Sequence, residues 1–465
     1  MNNTEYKQTE VGLIPSDWEV KTIGEIFTFY STSNYSKAEM SLYGDVGCVH
    51  YGLIHAIENS HYSLSSGIKY YVTKEQAKYE AIQEGDVIMV DASEDLVGLN
   101  KSVEVFDLNN KEYIAGLHTF HLRDNNSTYV GTFKGLILNS NSVKKQMLRF
   151  AVGMKVFGVS KPQLQNILIP VPTKAEQTAI ATALSDADAL ISSLEKLIAK
   201  KRNIKQGAMQ KLLQPKEGWE VKKLGEIVVV LDNLRKPLND SERQKMKGDI
   251  PYCGANGIVG FVDDYVIDDD IILMAEDGGY FDEYKTRPIA YRMKGKCWVN
   301  NHAHILKAKM EIDQDFLFYS LVNKNILDFI NGGTRAKLNK GELVNILVAV
   351  SKSKEEQTRI ATILSGMDAE ISALETKLEK YKKVKLGMMQ NLLTGKIRLV
   401  GVKRKYSLAV FKKNLNKSGK CFLLICIVMP CWVYFLNLFF LKTCLPPTKK
   451  RILLTSGKFQ NQIFT

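Results

Sequence analysis

The chain repeats itself, and that repetition limits its possible folds more than any other property. "DWEVKTIGEI" at 17–26 recurs as "GWEVKKLGEI" at 218–227, which sets Trp18 against Trp219. "EQTAIATALSDADALISSLEKLIAKKRNIKQGAMQKLL" at 176–213 recurs as "EQTRIATILSGMDAEISALETKLEKYKKVKLGMMQNLL" at 356–393. Just upstream of each, "SKPQLQNILIPV" at 160–171 parallels "NKGELVNILVAV" at 339–350, and Phe150 and Gly153 match Phe329 and Gly332. The order is module, long helix, module, long helix, then an unmatched tail.

Both helical repeats keep apolar residues at alternating steps of three and four, the seam of a coiled coil. The second runs Ile360, Leu364, Met367, Ile371, Leu374, Leu378, Tyr381, Met388 and Leu392. The first runs Ile180, Leu184, Ala187, Ile191, Leu194, Ile198, Ala208 and Leu212. At about 1.5 Å per residue each rod spans roughly 55 Å, and each stripe needs a partner. The two most economically bury their seams against each other. If they pair antiparallel, a pseudo-twofold axis relates two like units, and the modules reach DNA segments roughly 1.5 to 2 helical turns apart. Two helices serving only as a bundle scaffold are the plainer alternative.

The modules read as mixed α and β. In the first, a Thr73/Gln76 capping box predicts a short helix over 73–82, followed by strand-like "DVIMVDA" at 86–92 and alternating "YIAGLHTFHL" at 113–122. In the second, "GIVGFV" at 257–262, "DIILMA" at 270–275 and "CWVNNHAHIL" at 297–306 predict short strands separated by glycine and aspartate turns. An amphipathic helix closes each module, near 129–150 and 314–330. Beyond these shared ends the modules have little in common, as expected of similar frames that carry different faces.

Charge has to be located before it is interpreted. The formal net charge is +13, yet residues 397–465 hold 13 Lys and Arg and no Asp or Glu, which leaves 50 basic and 50 acidic residues in 1–396. The body is formally neutral, so any basic surface on it must arise by clustering. Four of the seven cysteines, Cys421, Cys426, Cys431 and Cys444, lie in the same tail, and there is no CxxC pair, so a reducing cytoplasm is the expected compartment. Cys421–Leu441 is a 21-residue run without a charge, long enough to span a bilayer. The tail reads either as translation past a frameshift or as a membrane anchor. A membrane partner is not the expectation.

Clustered cations suggest DNA contact. Lys144, Lys145, Arg149, Lys155 and Lys161 gather at the end of the first module, and Arg335, Lys337 and Lys340 occupy the matching stretch of the second. Such residues beside glycine turns suit phosphate positioning, with a solvated charged face as the alternative. Base reading needs forked donors and acceptors, for which Asn256, Asn300, Asn301 and Arg235 are the candidates. Lys382, Lys383 and Lys385 read as a solvated helix face. Asp270 with Glu283 and Lys285 would be the elements of a metal nuclease. His302 and His304 read as hydrogen-bonded module residues rather than metal ligands, since no third ligand is indicated. No catalytic residue and no metal site are predicted.

Taken in order, "IPSDWEV…IGEI", the repeated "EQ…IA…L…D…I" helix start, "GAMQKLL"/"GMMQNLL", "YCGANGIVGFVDDY…CWVNNHAHIL" and "LLTGKIRLV" at 392–400 resemble the specificity subunits of type I restriction-modification systems. The resemblance covers about residues 10–400. It implies an α+β chain with target-recognition domains at 1–172 and 215–350, separated by long antiparallel coiled-coil spacer helices at 173–214 and 351–396 in a pseudo-twofold repeat, with a tail at 397–465. It also implies a non-catalytic protein that binds double-stranded DNA, two modification (methyltransferase) subunits and restriction/translocase subunits. S-adenosylmethionine, ATP and Mg would then belong to those partners. The residues agree: the only Pro-Pro is Pro446-Pro447, with no Asn or Asp before it, and no GxxxxGK[ST] loop is present. Members of the family normally stop near the equivalent of Val400, so the tail is a departure.

Overall fold

The structure is a computed structural model, and it describes residues 5–93, 98–150, 157–332 and 336–399. The tail with its 421–441 segment, and Lys155 and Arg335, lie outside the described residues. The chain divides into two compact units, Met1–Ser193 with the chain from Leu378 onward, and Leu194–Lys377.

The predicted rods are helices Lys174–Leu212 and Lys354–Leu392, 39 residues each. Each contributes one part to each unit. In the first unit Ile180, Leu184 and Ala187 are buried in one core with Met388 and Leu392, and Lys385 forms an ion pair with Asp188. In the second, Ala208 and Leu212 pack on the core that holds Ile360 and Leu364, and Lys201, Arg202 and Lys205 pair with Glu370, Glu375 and Asp368. In the second unit the pairing is antiparallel, since one turn on from Lys201 and Glu370 along the first helix Lys205 meets Asp368, earlier on the other. Lys385 corrects the reading of a solvated face: it is turned into the helix pair against a buried Asp188.

Both repeated words have a structural reason. Trp18 Nε1 donates to Glu176 Oε2 at 2.8 Å, and Trp219 Nε1 donates to Glu356 Oε2 at 3.0 Å. The glutamine that follows ties the helix start to its module. Gln177 Oε1 accepts from Val130 N at 2.8 Å and its Nε2 donates to Pro172 O at 2.8 Å, while Gln357 does the same with Asp313 N at 2.8 Å and Ser351 O at 2.8 Å. The glycines of "IGEI" and "LGEI" mark a close approach: a Cβ on Gly24 would stand 3.1 Å from Gln165 Cβ, and one on Gly225 would stand 2.9 Å from Val344 Cβ. A basic residue closes each anchor. Lys216 holds the carboxyl of Glu356 down at about 2, and Arg398 grips Asp17 and Glu176.

Each module is built on its own sheet. In the first, Thr28–Tyr30, Thr119–Arg123, Val87–Val90, Ser102–Phe106 and His61–Ser63 lie side by side in that order. In the second, Val228–Val230, Ala303–Ala308, Ile267–Ala275, Ala290–Val299, Ile250–Gly254 and Gly257–Val262 do so. The buried strands Val87–Val90 and Ile271–Ala275 are the centres of these sheets, which explains their unbroken apolar runs.

Three predictions need correction. The Thr73/Gln76 capping bonds form, at 3.3 Å and 2.9 Å, but they close a turn and no helix follows. "YIAGLHTFHL" and "CWVNNHAHIL" are not continuous strands, since each breaks at a turn, 116–118 and 300–302. Neither closing helix is continuous: the first is two helices, Phe133–Leu138 and Asn141–Phe150, and the second ends at Leu321, with a separate 3-10 turn at Leu327–Phe329.

Candidate nucleic-acid interface

In the second module Arg235, Asn256, Asn300, Asn301 and Lys337 converge on one end of the sheet. Asn256 sits in the tight turn between Ile250–Gly254 and Gly257–Val262, and its Nδ2 donates to Gly278 O at 2.8 Å. Asn300, Asn301 and His302 form the turn between two strands of the sheet, and Glu276 N donates to His302 O at 2.9 Å. Lys337 pairs with Glu276 at 3.0 Å, and its backbone bridges to Asp277 and Asn331.

These residues do different work. Asn256 and Asn301 are exposed, and the Lys337 side chain is 46% exposed. Asn300 is buried and its Oδ1 accepts from His302 N at 2.8 Å, so it shapes the turn. Arg235 points inward, with its guanidinium on Glu276 and Asp232 and on the carbonyls of Asn301 and Ala303. Burial alone would raise the Glu276 carboxyl, but hydrogen bonds from Arg235 and Lys337 more than offset this and hold it below its ordinary value. Burial opposes ionisation of Asp232 too, and His304 overrides it.

His304 is buried, with Nδ1 2.7 Å from Asp232 Oδ2 and Nε2 2.8 Å from Leu338 O. Each ring nitrogen thus faces an oxygen, which fixes the orientation of the ring. Asp232, Glu276 and His304 bring one ligand atom each within 4.8 Å of one another. Arg235 and Lys337 already supply the positive charge those carboxylates need. Asp270 pairs with Lys294 at 3.1 Å and Glu283 with Arg287 at 3.3 Å, so the residues of the nuclease alternative are engaged elsewhere.

In the first module Lys144, Lys145 and Arg149 lie on helix Asn141–Phe150, whose buried face is Val143 and Met147. Lys145 and Arg149 are exposed and Lys144 is half-buried. Lys161 is the first residue of helix Lys161–Gln165, beside an open depression of about 540 Å³ lined by Asp91, Ala92, His118, Gly158, Val159, Ser160 and Gln163. Lys340 is likewise exposed, at the start of helix Lys340–Leu343. Sequence reasoning missed His118 and Asp91. Their only signal was a histidine at the same step of the turn as His302.

The two turns are equivalent by backbone pairing. Ser33 N donates to Ala115 O, and Lys236 N to Val299 O, each at 2.9 Å. Gly116 N donates to Val49 O at 2.8 Å, and Asn300 N to Cys253 O at 3.0 Å. The same frame thus presents Gly116-Leu117-His118 in one module and Asn300-Asn301-His302 in the other.

Comparison with known proteins agrees with this repeated frame. The type I restriction modification DNA specificity domain matches residues 15–205 and again 216–384. A Haemophilus influenzae protein assigned as a type I restriction enzyme specificity subunit is 36% identical over 161 residues, 35% of this chain and 40% of the relative. The MjaVIII specificity subunit of Methanocaldococcus jannaschii is 27% identical over 313 residues, 57% of this chain and 70% of the relative. In fold, the chain is similar to the type I restriction-modification S subunit from M. genitalium, with a TM-score of 0.53 and 18% identity over 84% of this chain and 97% of that one. No helix among the described residues is long and apolar enough to cross a membrane. With two matched domains over most of its length, the chain belongs to the type I restriction-modification DNA specificity family.

Proposed function

We propose that this chain reads a bipartite DNA sequence, one short block per module with an unread spacer, and that it directs chemistry performed by other subunits. The observation that carries this reading is one sheet frame built twice, each copy ending in a different set of exposed polar loop residues. Lys144, Lys145, Arg149, Lys161, Lys337 and Lys340 take phosphates, Asn256 and Asn301 face base edges, and Arg235 and Asn300 brace the loops that carry them. Lys155 and Arg335 join this set on sequence grounds alone.

The chain catalyses nothing by itself in this reading. Adenine methylation comes from two modification subunits with S-adenosylmethionine, and cleavage from restriction/translocase subunits with ATP and Mg. The absence from the sequence of a methyltransferase motif and of a triphosphate loop supports this division of labour.

The test is single-molecule methylation mapping of DNA from cells that co-express the chain with its modification subunits. The expected product is methylated adenine only within two short blocks at a constant gap. Lys337→Glu should lower methylation by relaxing contact at one block. Methylation scattered without such a pattern would sink the proposal.

A further inference from the structure

Each module carries a histidine seated on a carboxylate at the equivalent turn. In the first, His118 Nδ1 lies 3.4 Å from Asp91 Oδ1, and Asp91 N donates to His118 O at 3.3 Å. In the second, His302 Nδ1 lies 2.6 Å from Asp277 Oδ1, while Glu276 N makes the matching bond to His302 O. The side chains are 52% and 39% exposed, unlike those of His121 and His304, which are buried inside the same sheets. In the second module Nδ1 is hydrogen-bonded to the carboxylate, in the first it stands at ion-pair distance from a buried Asp91 oxygen that accepts no hydrogen bond, and neither Nε2 has a hydrogen-bond partner among the described residues.

Nothing in the core requires these dyads. His118 adopts a left-handed φ of 56°, uncommon for a residue with a side chain, and Tyr51 packs edge-on against its ring at 5.6 Å. The Asp91–His118 pair lines the depression beside Lys161, and His302 stands among Asn301, Lys337 and Asn256. Both positions are therefore in the loop sets assigned to DNA above, and the inference rests on that assignment.

We propose that His118 and His302 are a matched pair of DNA contacts, one per module, each donating Nε2–H to an acceptor on the duplex while its aspartate orients the ring. A neutral ring that donates Nδ1–H to aspartate has only a lone pair at Nε2, so a DNA oxygen or guanine N7 is held once the ring takes up a proton. The carboxylate balances that added charge. Burial raises the Asp91 carboxyl above its ordinary value and His118 partly relieves it, so the aspartate gains from a protonated neighbour. Groups facing His118 are Asp91 and Tyr51, with His50 and His55 beyond the tyrosine. Those around His302 are Asp277, Glu276, Arg235 and Lys337. Binding is thus stronger with the ring protonated than with it neutral.

The experiment uses the full chain assembled with its modification subunits and a fluorescent duplex carrying the mapped target, titrated between pH 6 and pH 8.5. His118→Asn and His302→Asn should each weaken binding about tenfold at the acid end and reduce the pH dependence, the loss typical of a charge-assisted hydrogen bond. His118→Gln and His302→Gln keep a donor near Nε2 and should bind with a flat profile. A loss of equal size on a random duplex assigns the contact to phosphate, and a loss confined to the target assigns it to a base edge. If the asparagine variants bind with the parent affinity and profile while Lys145→Glu and Lys337→Glu bind weakly, the histidine proposal falls and the loop assignment stands. If none of these variants weakens binding, both fall.

Discussion

Arg398 shows how one side chain holds a unit together. Its Nε donates to Glu176 Oε1 at 2.9 Å, and its other nitrogens reach Asp17 at 2.8 Å, with Glu176 fully buried. The guanidinium holds the Asp17 carboxyl below its ordinary value. Removing the arginine leaves a buried carboxylate with Trp18 as its main remaining donor, and an uncompensated buried charge costs about 3 kcal/mol or more. Arg398→Ala should therefore lower the thermal midpoint of the first unit, read by tryptophan fluorescence, and Arg398→Lys should recover part of the loss. An unchanged midpoint would mean the trio contributes nothing net. The sequence showed this arginine only as part of "LLTGKIRLV". Nothing local to it predicts partners 222 and 381 residues away.

The long helices were the most legible elements, because a three-four apolar rhythm kept up over nearly forty residues belongs to a long helix with one covered face and to little else. Burial of Ile180, Leu184, Ile360 and Leu364 follows that rhythm. The strands were legible as apolar runs but their ends were not. Gly116 and Asn300 open turns inside alternating sequence, and the turns are fixed by bonds to Val49 and Cys253 that come from far along the chain. For the same reason the candidate site was only half visible: the cations could be counted, but whether Arg235 faced out or in depended on Glu276. Leu184→Ala and Leu364→Ala remove fully buried seam side chains and should each cost about 3 kcal/mol. Denaturant midpoints at matched slope would measure this. Losses under about 1 kcal/mol would mean the seam repacks freely.

At the scale of the molecule, balanced charge over 1–396 makes DNA affinity a matter of local contacts. The logarithm of the binding constant should fall with the logarithm of salt concentration, by about 0.9 for each phosphate contacted. Lys145→Ala should reduce that slope by about one and weaken target and random duplexes alike. A slope that survives replacement of Lys145, Lys161 and Lys337 together would place the phosphate contacts elsewhere on the surface.

The second unit is one unbroken stretch of chain, Leu194–Lys377, but the first is not. The first is built from residues up to Ser193 and from Leu378 onward, so Ile180 and Leu184 need Met388, Leu392 and Leu393 to cover them. A ribosome delivers those residues only after the whole second unit has been made. During synthesis the amino-terminal unit must wait with an oily helix face open, dependent on chaperones or on the neighbouring rod for shelter. Any stop codon before Leu378 leaves that face bare for good, and the shortened product should be cleared or should seek a substitute helix from another molecule.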